Sequence, residues 1–148
     1  MLHEVTVAER ASPADAAAIR LLLSDAGLPV EDLSSAPLQF WVAREAAAIV
    51  GAVGLERYGT SALLRSLVVS PRHRHRGLGD RLVRQLEADA RAAGIVRLVL
   101  LTQTAADFFA RRGYRVIDRG SIEGAMRECA QFRSLCPASA TCMGKALD

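Results

Sequence analysis

Residues 71–80 read PRHRHRGLGD and lie between an apolar run, residues 63–69, and an amphipathic run, residues 79–93. This order predicts a strand, a glycine-rich basic turn and then a helix. The first N–H groups of a helix have no partner within the helix, and the helix dipole makes that end attractive to negative charge. The stretch therefore predicts an anion site at the end of a strand.

Upstream of this turn, apolar and polar residues alternate in strand-like segments. They span residues 4–10, 38–44, 48–56 and 63–69. Short turns separate the last three, so an antiparallel meander of four strands is the simplest arrangement.

One helix is predicted between the first two strands. Ser12 is a suitable N-cap, Pro13 suits the first helical position, and Gly27 follows the last periodic residue, so the helix should cover residues 13–26. Residues 28–37 contain two prolines and two serines and predict a loop. Such a loop near an active site could close over a substrate.

Downstream of the turn, the helix of residues 79–93 leads to a branched apolar run, residues 96–101. Such a run is typical of a strand buried on both faces, so residues 63–101 predict a right-handed β-α-β unit. The remaining pattern predicts a short helix over 104–111, a strand over 114–119, a helix over 121–132 and a strand over 140–147.

The composition favours one globular domain over residues 1–148, because 148 residues with 51% hydrophobic content can fill one core. The net charge is +3 and Lys145 is the only lysine. We attribute the arginine excess to compositional bias, so nucleic-acid binding ranks last among the functions considered.

No basic segment leads into an apolar one at the N-terminus, and no apolar run approaches the ~18 residues that span a bilayer. We expect a cytoplasmic protein without a membrane partner.

The histidines and cysteines do not predict a metal site. His73 and His75 lie among arginines, which would repel a cation. Cys129, Cys136 and Cys142 are odd in number and widely spaced, which suits free thiols better than disulfides. A three-thiol site for a soft ion such as trivalent arsenic is the less favoured alternative.

The chemistry of the turn comes from its glycines. Gly77 and Gly79 let the backbone approach a large anion and adopt dihedral angles closed to other residues, while Arg74 and Arg76 add positive charge. A third glycine is missing at Leu82 and no Gly-Lys-Ser/Thr follows, so neither a dinucleotide fingerprint nor a P-loop is present. The residues from Arg74 to Gly79 match R-x-x-G-x-G instead.

With this motif, the preceding residues 67–71 (LVVSP) and the later residues 105–114 (AADFFARRGY), the chain resembles the GNAT superfamily of acetyl-CoA-dependent N-acetyltransferases. The resemblance covers essentially the whole chain. It implies an α/β (α+β) GNAT fold with a mixed sheet of six to seven strands and about four helices. Strands four and five would splay around the cofactor, acetyl-CoA.

The resemblance also implies where the cofactor binds. The backbone of Leu67 and Val69 would hold the pantetheine arm and thioester, and the turn would hold the pyrophosphate. The expected cofactor-binding residues are Leu67, Val68, Val69, Arg74, His75, Arg76, Gly77, Leu78, Gly79, Asp80 and Phe109.

A narrower resemblance lies in residues 54–56, 63–67 and 131–140, which look like small GNAT proteins of arsenic resistance. It suggests an arsenical or related amino acid as the acceptor. The expected partner is thus a small-molecule amine, and a homodimer formed through the C-terminal strand is compatible with the resemblance.

Two residues are candidates for catalysis. An amine must be neutral to attack a thioester, yet an alkylammonium with a pKa of ~10 is mostly protonated at neutral pH, so a base is useful. Glu56, at the end of the third strand, is the first candidate. The equally weighted alternative is a structural role, in which Glu56 caps the hairpin or pairs with Arg57 or Arg65. Arg65 carries a fork that suits a substrate carboxylate, and its alternative role is the ion pair with Glu56.

Phe109 departs from the family pattern, because many GNAT enzymes have a tyrosine there that protonates the departing thiolate. A thiol with a pKa of ~8.5 is a fair leaving group without full protonation. Water, Tyr58 or Ser66 could supply the proton. We therefore predict an acetyl-CoA-dependent enzyme that acetylates a small amine directly. The alternative is a non-catalytic acetyl-CoA-binding or cysteine-based arsenic sensor.

Overall fold

The computed structural model describes residues 5–34, 37–122, 124–129, 131–132 and 139–147. Within these residues, seven strands form one sheet in the order β1-β2-β3-β4-β5-β7-β6. The strands are β1 (Val5–Arg10), β2 (Leu38–Glu45), β3 (Ala48–Tyr58), β4 (Ser61–Val69), β5 (Arg97–Thr102), β6 (Arg115–Val116) and β7 (Thr141–Ala146). The α-helices of the described chain are α1 (Ala16–Asp25), α2 (Leu78–Ala92) and α3 (Ala106–Ala110).

The first four strands form the predicted antiparallel meander. The predicted first helix is also present, as a 3-10 turn at Pro13–Asp15 that continues into α1. Ser12 and Asp15 close a capping box, which satisfies N–H groups at the start of the helix. Asp15 also binds Arg44 of β2 at 2.6 Å, so the cap ties the helix to the sheet.

Strands β4 and β5 are parallel and splay apart as expected. They pair through residues 61–63 and 97–99 and then diverge. The divergence coincides with a bulge in β4, where the register to β3 shifts between Gly54 and Ala52. Ser66 lies in this bulge with a φ of 59°, a conformation that few residues other than glycine adopt. Since a bulge bends the strand that carries it, this local backbone conformation accounts for the opening between the strands.

The C-terminal part differs from the prediction. The continuous helix expected over residues 121–132 is wrong. Its described residues hold the end of a 3-10 turn (Arg119–Ser121), a second 3-10 turn (Gly124–Met126) and a π-helical turn at residues 131–132, but no α-helix. Asp118 accepts a hydrogen bond from Gly120 N, and Gly124 has a φ of 70°, and both features favour turns over a continuous helix. The predicted strand 114–119 is shortened to β6, and β7 inserts between β5 and β6.

Both faces of the sheet are covered. On one face, α2 buries Leu82 and Leu86 against Trp41 and the apolar residues of β4 and β5. On the other face, α1 buries Ile19 and Leu23 against β2, β3 and β4. Each fully buried side chain of this size contributes about 1.5–3 kcal/mol, so this packing fixes the sheet on which the cleft opens. In the described part of the chain, no helix is long and apolar enough to cross a bilayer.

Candidate active site

The divergence of β4 and β5 leaves a cleft of about 350 Å³. One side is formed by β4 and β5, and the opposite rim by the loop after α1, the segment after β5 and the residue Gln131. The lining residues include Gly27, Leu28, Pro29, Leu64, Arg65, Ser66, Leu67, Thr102, Thr104, Ala105, Phe109, Gln131 and Ala140. The cleft is therefore mostly apolar, and Arg65 brings a cationic group to its wall.

Arg65 is 4% exposed and lies at the centre of a charge network. Its Nη1 and Nη2 donate to the two carboxylate oxygens of Asp32 at 2.6 and 2.8 Å. Nη1 also lies 2.5 Å from Oε1 of Glu56, and Nε donates to Oγ of Ser66 at 3.0 Å. Burial opposes the charged form, but the hydrogen bonds to the two carboxylates outweigh it and raise the pKa of Arg65. The guanidinium therefore stays charged in the cleft wall.

Glu56 is 1% exposed, and both of its oxygens are engaged. Oε1 contacts Arg65, and Oε2 accepts a hydrogen bond from the hydroxyl of Tyr58 at 2.5 Å. Burial, and then the bond to Glu56, raise the pKa of Tyr58. Tyr58 therefore holds its proton towards Glu56, which makes it a poor source of a proton for a thiolate.

The structure brings Glu56 and Arg65 together as an ion pair. The sequence analysis gives this ion pair as the alternative to a catalytic role for each residue. Their roles in a reaction stay predictions. Sequence reasoning missed Asp32 as the second carboxylate on this guanidinium. Asp32 lies in a segment without helical or strand periodicity. The sequence pattern therefore gave no signal that its carboxylate would pair with Arg65.

The basic turn has the expected connection between β4 and α2. Gly77 is the N-cap of α2 and has a φ of 77°, so the prediction of a backbone conformation suited to glycine holds there. It is wrong for Gly79, which lies inside α2 without a positive φ. His75 adopts the left-handed conformation instead, with a φ of 66°. Backbone that alternates in this way turns successive N–H groups towards one point, which suits a large anion.

The other expected cofactor-binding residues differ in how much side chain they expose. Arg74, His75 and Arg76 are exposed, and Arg74 Nε donates to the carbonyl of Val69 at 3.2 Å. The side chain of Leu78 is buried in the core, so its backbone is the part that can meet a ligand.

Val68, Leu67 and Asp80 were also expected to bind the cofactor. Val68 packs beneath α1, and Leu67 lines the cleft. Asp80 binds Arg112 at 2.8 Å and Arg84 at 2.9 Å. Together with Gly77, these charged residues border a groove of about 750 Å³ beside α2.

Phe109 lines the cleft as expected of a cofactor-contacting residue, and it is buried. It packs edge to face against Phe108 and Tyr114. The hydroxyl of Tyr114 donates to Glu87, and burial raises its pKa. Among the described residues that line the cleft, none is a tyrosine, while Ser66, Thr102 and Thr104 carry hydroxyls.

The structure describes two of the three cysteines, Cys129 and Cys142. Cys129 and Cys142 are free and pack in or against one apolar cluster, whereas Cys136 lies outside the described residues. Burial raises the pKa of both described thiols, which disfavours the thiolate form that binds soft ions. The described residues contain no group of three or more His, Cys, Asp or Glu side chains that could hold a metal ion.

Solved structures share this fold. N-acetylglutamate synthase from Neisseria gonorrhoeae, complexed with coenzyme A and N-acetyl-glutamate, superposes with a TM-score of 0.78 at 20% identity, over 98% of this chain and 35% of that chain. An acetyltransferase of the GNAT family from Staphylococcus aureus Mu50 gives a TM-score of 0.76 at 18% identity, over 98% of this chain and 100% of that one. At this level of identity, the likeness concerns the fold.

Sequence relatives cover part of the chain. An amino-acid acetyltransferase from Azotobacter vinelandii is 44% identical over 52 residues, 35% of this chain and 12% of the relative. Another from Pseudomonas fluorescens Pf0-1 is 36% identical over 78 residues, 51% of this chain and 18% of the relative. The matched stretches are thus a small part of both relatives. The family pattern of the acetyltransferase (GNAT) domain matches residues 36–116, from β2 to β6, which include both strands that border the cleft. The match covers more than half of the chain, and the chain therefore belongs to the GNAT acetyltransferase family.

Proposed function

We propose that this protein is an acetyl-CoA-dependent N-acetyltransferase whose acceptor is a small amino acid. The observation that carries the acceptor class is the buried guanidinium of Arg65 in the wall of the cleft, with a fork that matches a carboxylate. The donor side rests on family membership, the splayed strands and the turn before α2.

The residues around the cleft fit acetyl-CoA. The N–H groups of residues 75–79 and the exposed arginines Arg74 and Arg76 suit the pyrophosphate, since helix N-termini and such turns bind phosphate. The backbone of Leu67 and Val69, at the edge where β4 leaves β5, suits the pantetheine arm. When bound, acetyl-CoA supplies an acetyl group activated as a thioester.

The chain's own residues would position the acceptor and handle its proton. Acetylation forms a C–N bond, breaks the C–S bond and moves one proton from the amine to the departing thiolate. Arg65 would orient the acceptor through its carboxylate. Ser66, which accepts a hydrogen bond from Arg65 Nε, keeps its own O–H as a donor and lines the cleft, so it is our candidate for the hydroxyl that meets the thiolate.

Glu56 is proposed to act mainly as the counter-ion of Arg65. Its oxygens are occupied by Arg65 and Tyr58, and its side chain is excluded from solvent. A base must contact the acceptor's amine directly or through one water to take its proton. The contacts of Glu56 with Arg65 and Tyr58 hinder this approach. Deprotonation by water in the cleft accounts better for this arrangement.

The names of the sequence relatives support an amino acid as acceptor, and the solved synthase holds N-acetyl-glutamate. Within this class, an arsenical amino acid is the finer hypothesis that comes from the resemblance in residues 54–56, 63–67 and 131–140. Residues 133–138 of that resemblance lie outside the described chain.

The test is thiol release from acetyl-CoA with a panel of amino acids, their amides, and phosphinic and arsinic amino-acid analogues. We expect release with acceptors that carry both an amine and an acid group, and none with the same compounds already acetylated on nitrogen. Cofactor binding without thiol release across the panel would contradict the enzymatic function. Equal rates with acids and amides would contradict the role of Arg65.

A further inference from the structure

The guanidinium of Arg65 is already occupied in the way a carboxylate ligand would occupy it. Asp32 meets it through two parallel N–H···O contacts of 2.6 and 2.8 Å, the bidentate geometry in which arginine binds free carboxylates. Arg65 also lines the cleft. A ligand carboxylate that takes this fork from the cleft would therefore compete with Asp32 for the same two N–H groups.

The two carboxylates on Arg65 differ in how firmly they are held. Glu56 belongs to β3, an 11-residue strand that pairs on both sides with β2 and β4. Asp32 belongs to the segment 28–34, which consists of turns and irregular backbone between α1 and β2. Since loops move at lower free-energy cost than central strands, Glu56 is the permanent counter-ion and Asp32 the exchangeable one.

Residues of the segment that carries Asp32 line two cavities. Gly27, Leu28 and Pro29 line the cleft at the start of this segment. Leu33, next to Asp32, lines a second cavity of about 400 Å³ beside α1 and β2. The segment thus borders one cavity at its start and another at Leu33.

We propose that Asp32 is a specificity-determining residue that occupies the place of the acceptor's carboxylate on Arg65 and is displaced by it. This inference rests on the proposed acetyltransferase function. Exchange of one carboxylate for another keeps the charge around Arg65 unchanged, so the buried guanidinium stays compensated. The displaced carboxylate of Asp32 would move out to solvent. An amine without a carboxylate offers no such replacement and leaves Asp32 on Arg65.

The structure also suggests the opposite role as a competing explanation, in which Asp32 stays on Arg65 and attracts the acceptor's ammonium group. The two roles predict effects of opposite sign when the charge of Asp32 is removed. Loss of a competitor tightens the binding of carboxylates, whereas loss of an ammonium partner weakens the binding of all amines.

The experiment is calorimetry with coenzyme A present, using N-acetylated glycine, alanine, glutamate and phenylalanine as carboxylate probes and their amides as neutral probes. We expect Asp32→Asn to bind at least one carboxylate probe about tenfold more tightly than the wild type, because a competing charge-assisted fork is removed. The affinity for the amides should not change. In acetylation assays, KM for amino acids should fall with kcat unchanged.

Glu31→Gln is the matched control, because Glu31 is exposed in the same segment and its replacement removes the same charge. It should leave every affinity as in the wild type. Asp32→Ala, checked for folding by circular dichroism, should change affinities in the same direction as Asp32→Asn. Arg65→Lys, which keeps the charge but loses the fork, should weaken binding of the carboxylate probes.

Unchanged or weaker carboxylate binding by both Asp32 variants, or no binding of any probe to any variant, would overturn the displacement. Thiol release by the wild type together with that result would leave the proposed function intact. Tighter carboxylate binding without thiol release in any variant would support the displacement and contradict the enzyme.

Discussion

Glu56 and Arg65 show how much the function of a residue depends on its partners. As single residues, a strand-end glutamate and a strand arginine suit a base and a carboxylate receptor. In the folded chain, Glu56 contacts both Arg65 and Tyr58, and Arg65 also contacts Asp32. Three charged groups and a phenol therefore act as one unit, and removal of one member changes the others.

The counter-ion role of Glu56 gives a kinetic prediction. In Glu56→Gln, the amide oxygen can still accept from Arg65 or Tyr58, so we expect kcat to fall less than about tenfold, whereas loss of a general base costs about 10²- to 10⁴-fold. The measurement is the pH dependence of kcat and kcat/KM. Tyr58→Phe is the control, since it removes a contact to Glu56 without changing charge. Loss of the acidic limb of the pH profile in Glu56→Gln, with a large fall in kcat, would favour the base.

At the scale of elements, β4, the basic turn and α2 form the unit in which we place the donor site. Two residues of the turn, His75 and Gly77, adopt positive φ angles, and α2 begins directly after them. A Cβ on Gly77 would meet no atom within 4 Å, so its requirement for glycine comes from the backbone conformation and not from crowding. A Cβ on Gly79 would make ordinary contacts with Phe108, the nearest at 3.5 Å.

The two glycines should therefore respond differently to substitution. Gly77→Val places a β-branched residue at a positive φ, which costs about 1–2 kcal/mol, so we expect the Kd for coenzyme A to rise about tenfold. Gly79→Ala should keep the Kd near that of the wild type and stabilise α2 by up to about 1 kcal/mol. Calorimetry and urea unfolding give both quantities. Arg72→Ala, at an exposed position, should weaken binding less than Gly77→Val, and the reverse order would contradict recognition by the backbone.

For the whole molecule, the opening between β4 and β5 is where we propose that donor and acceptor meet. The bulge at Ser66 ends the pairing of the two strands, while β7 holds β5 from its other edge through residues 97–102. α1 and α2 cover the two faces. The cleft is thus a gap in an otherwise continuous sheet, and backbone groups at its edge can pair with a ligand as they would with a strand.

This arrangement predicts a pattern of amide hydrogen exchange. Saturating coenzyme A should slow exchange at Leu67 and Val69, because their backbone groups would bond to the pantetheine arm. Ala62, which pairs with Leu98 where the strands still meet, should exchange at an unchanged rate and serves as the control. Exchange followed by NMR separates these amides. Uniform slowing over all of β4 would indicate global stabilisation instead of a contact at the edge.

Much of the fold could be predicted from local sequence. The strands from residue 4 to residue 69, the capped first helix and the β-α-β unit all follow from apolar spacing, caps and glycines. The prediction of a helix over residues 121–132 overlooked two local signals, the turn that Asp118 closes with Gly120 and the positive φ at Gly124. The insertion of β7 between β5 and β6 depends on contacts between distant segments.

The sequence by itself determined the family and predicted the turn before α2 as the donor site, because the R-x-x-G-x-G spacing acts through neighbouring backbone groups within one short stretch. The tertiary structure decided which side chains surround Arg65, the residue that we propose binds the acceptor. Asp32, Glu56 and Arg65 come from a loop and two strands, and their partnership arises when the sheet forms and the loop folds over it. The physical reason is that charge pairing in a buried site depends on distance and desolvation, which local spacing does not specify.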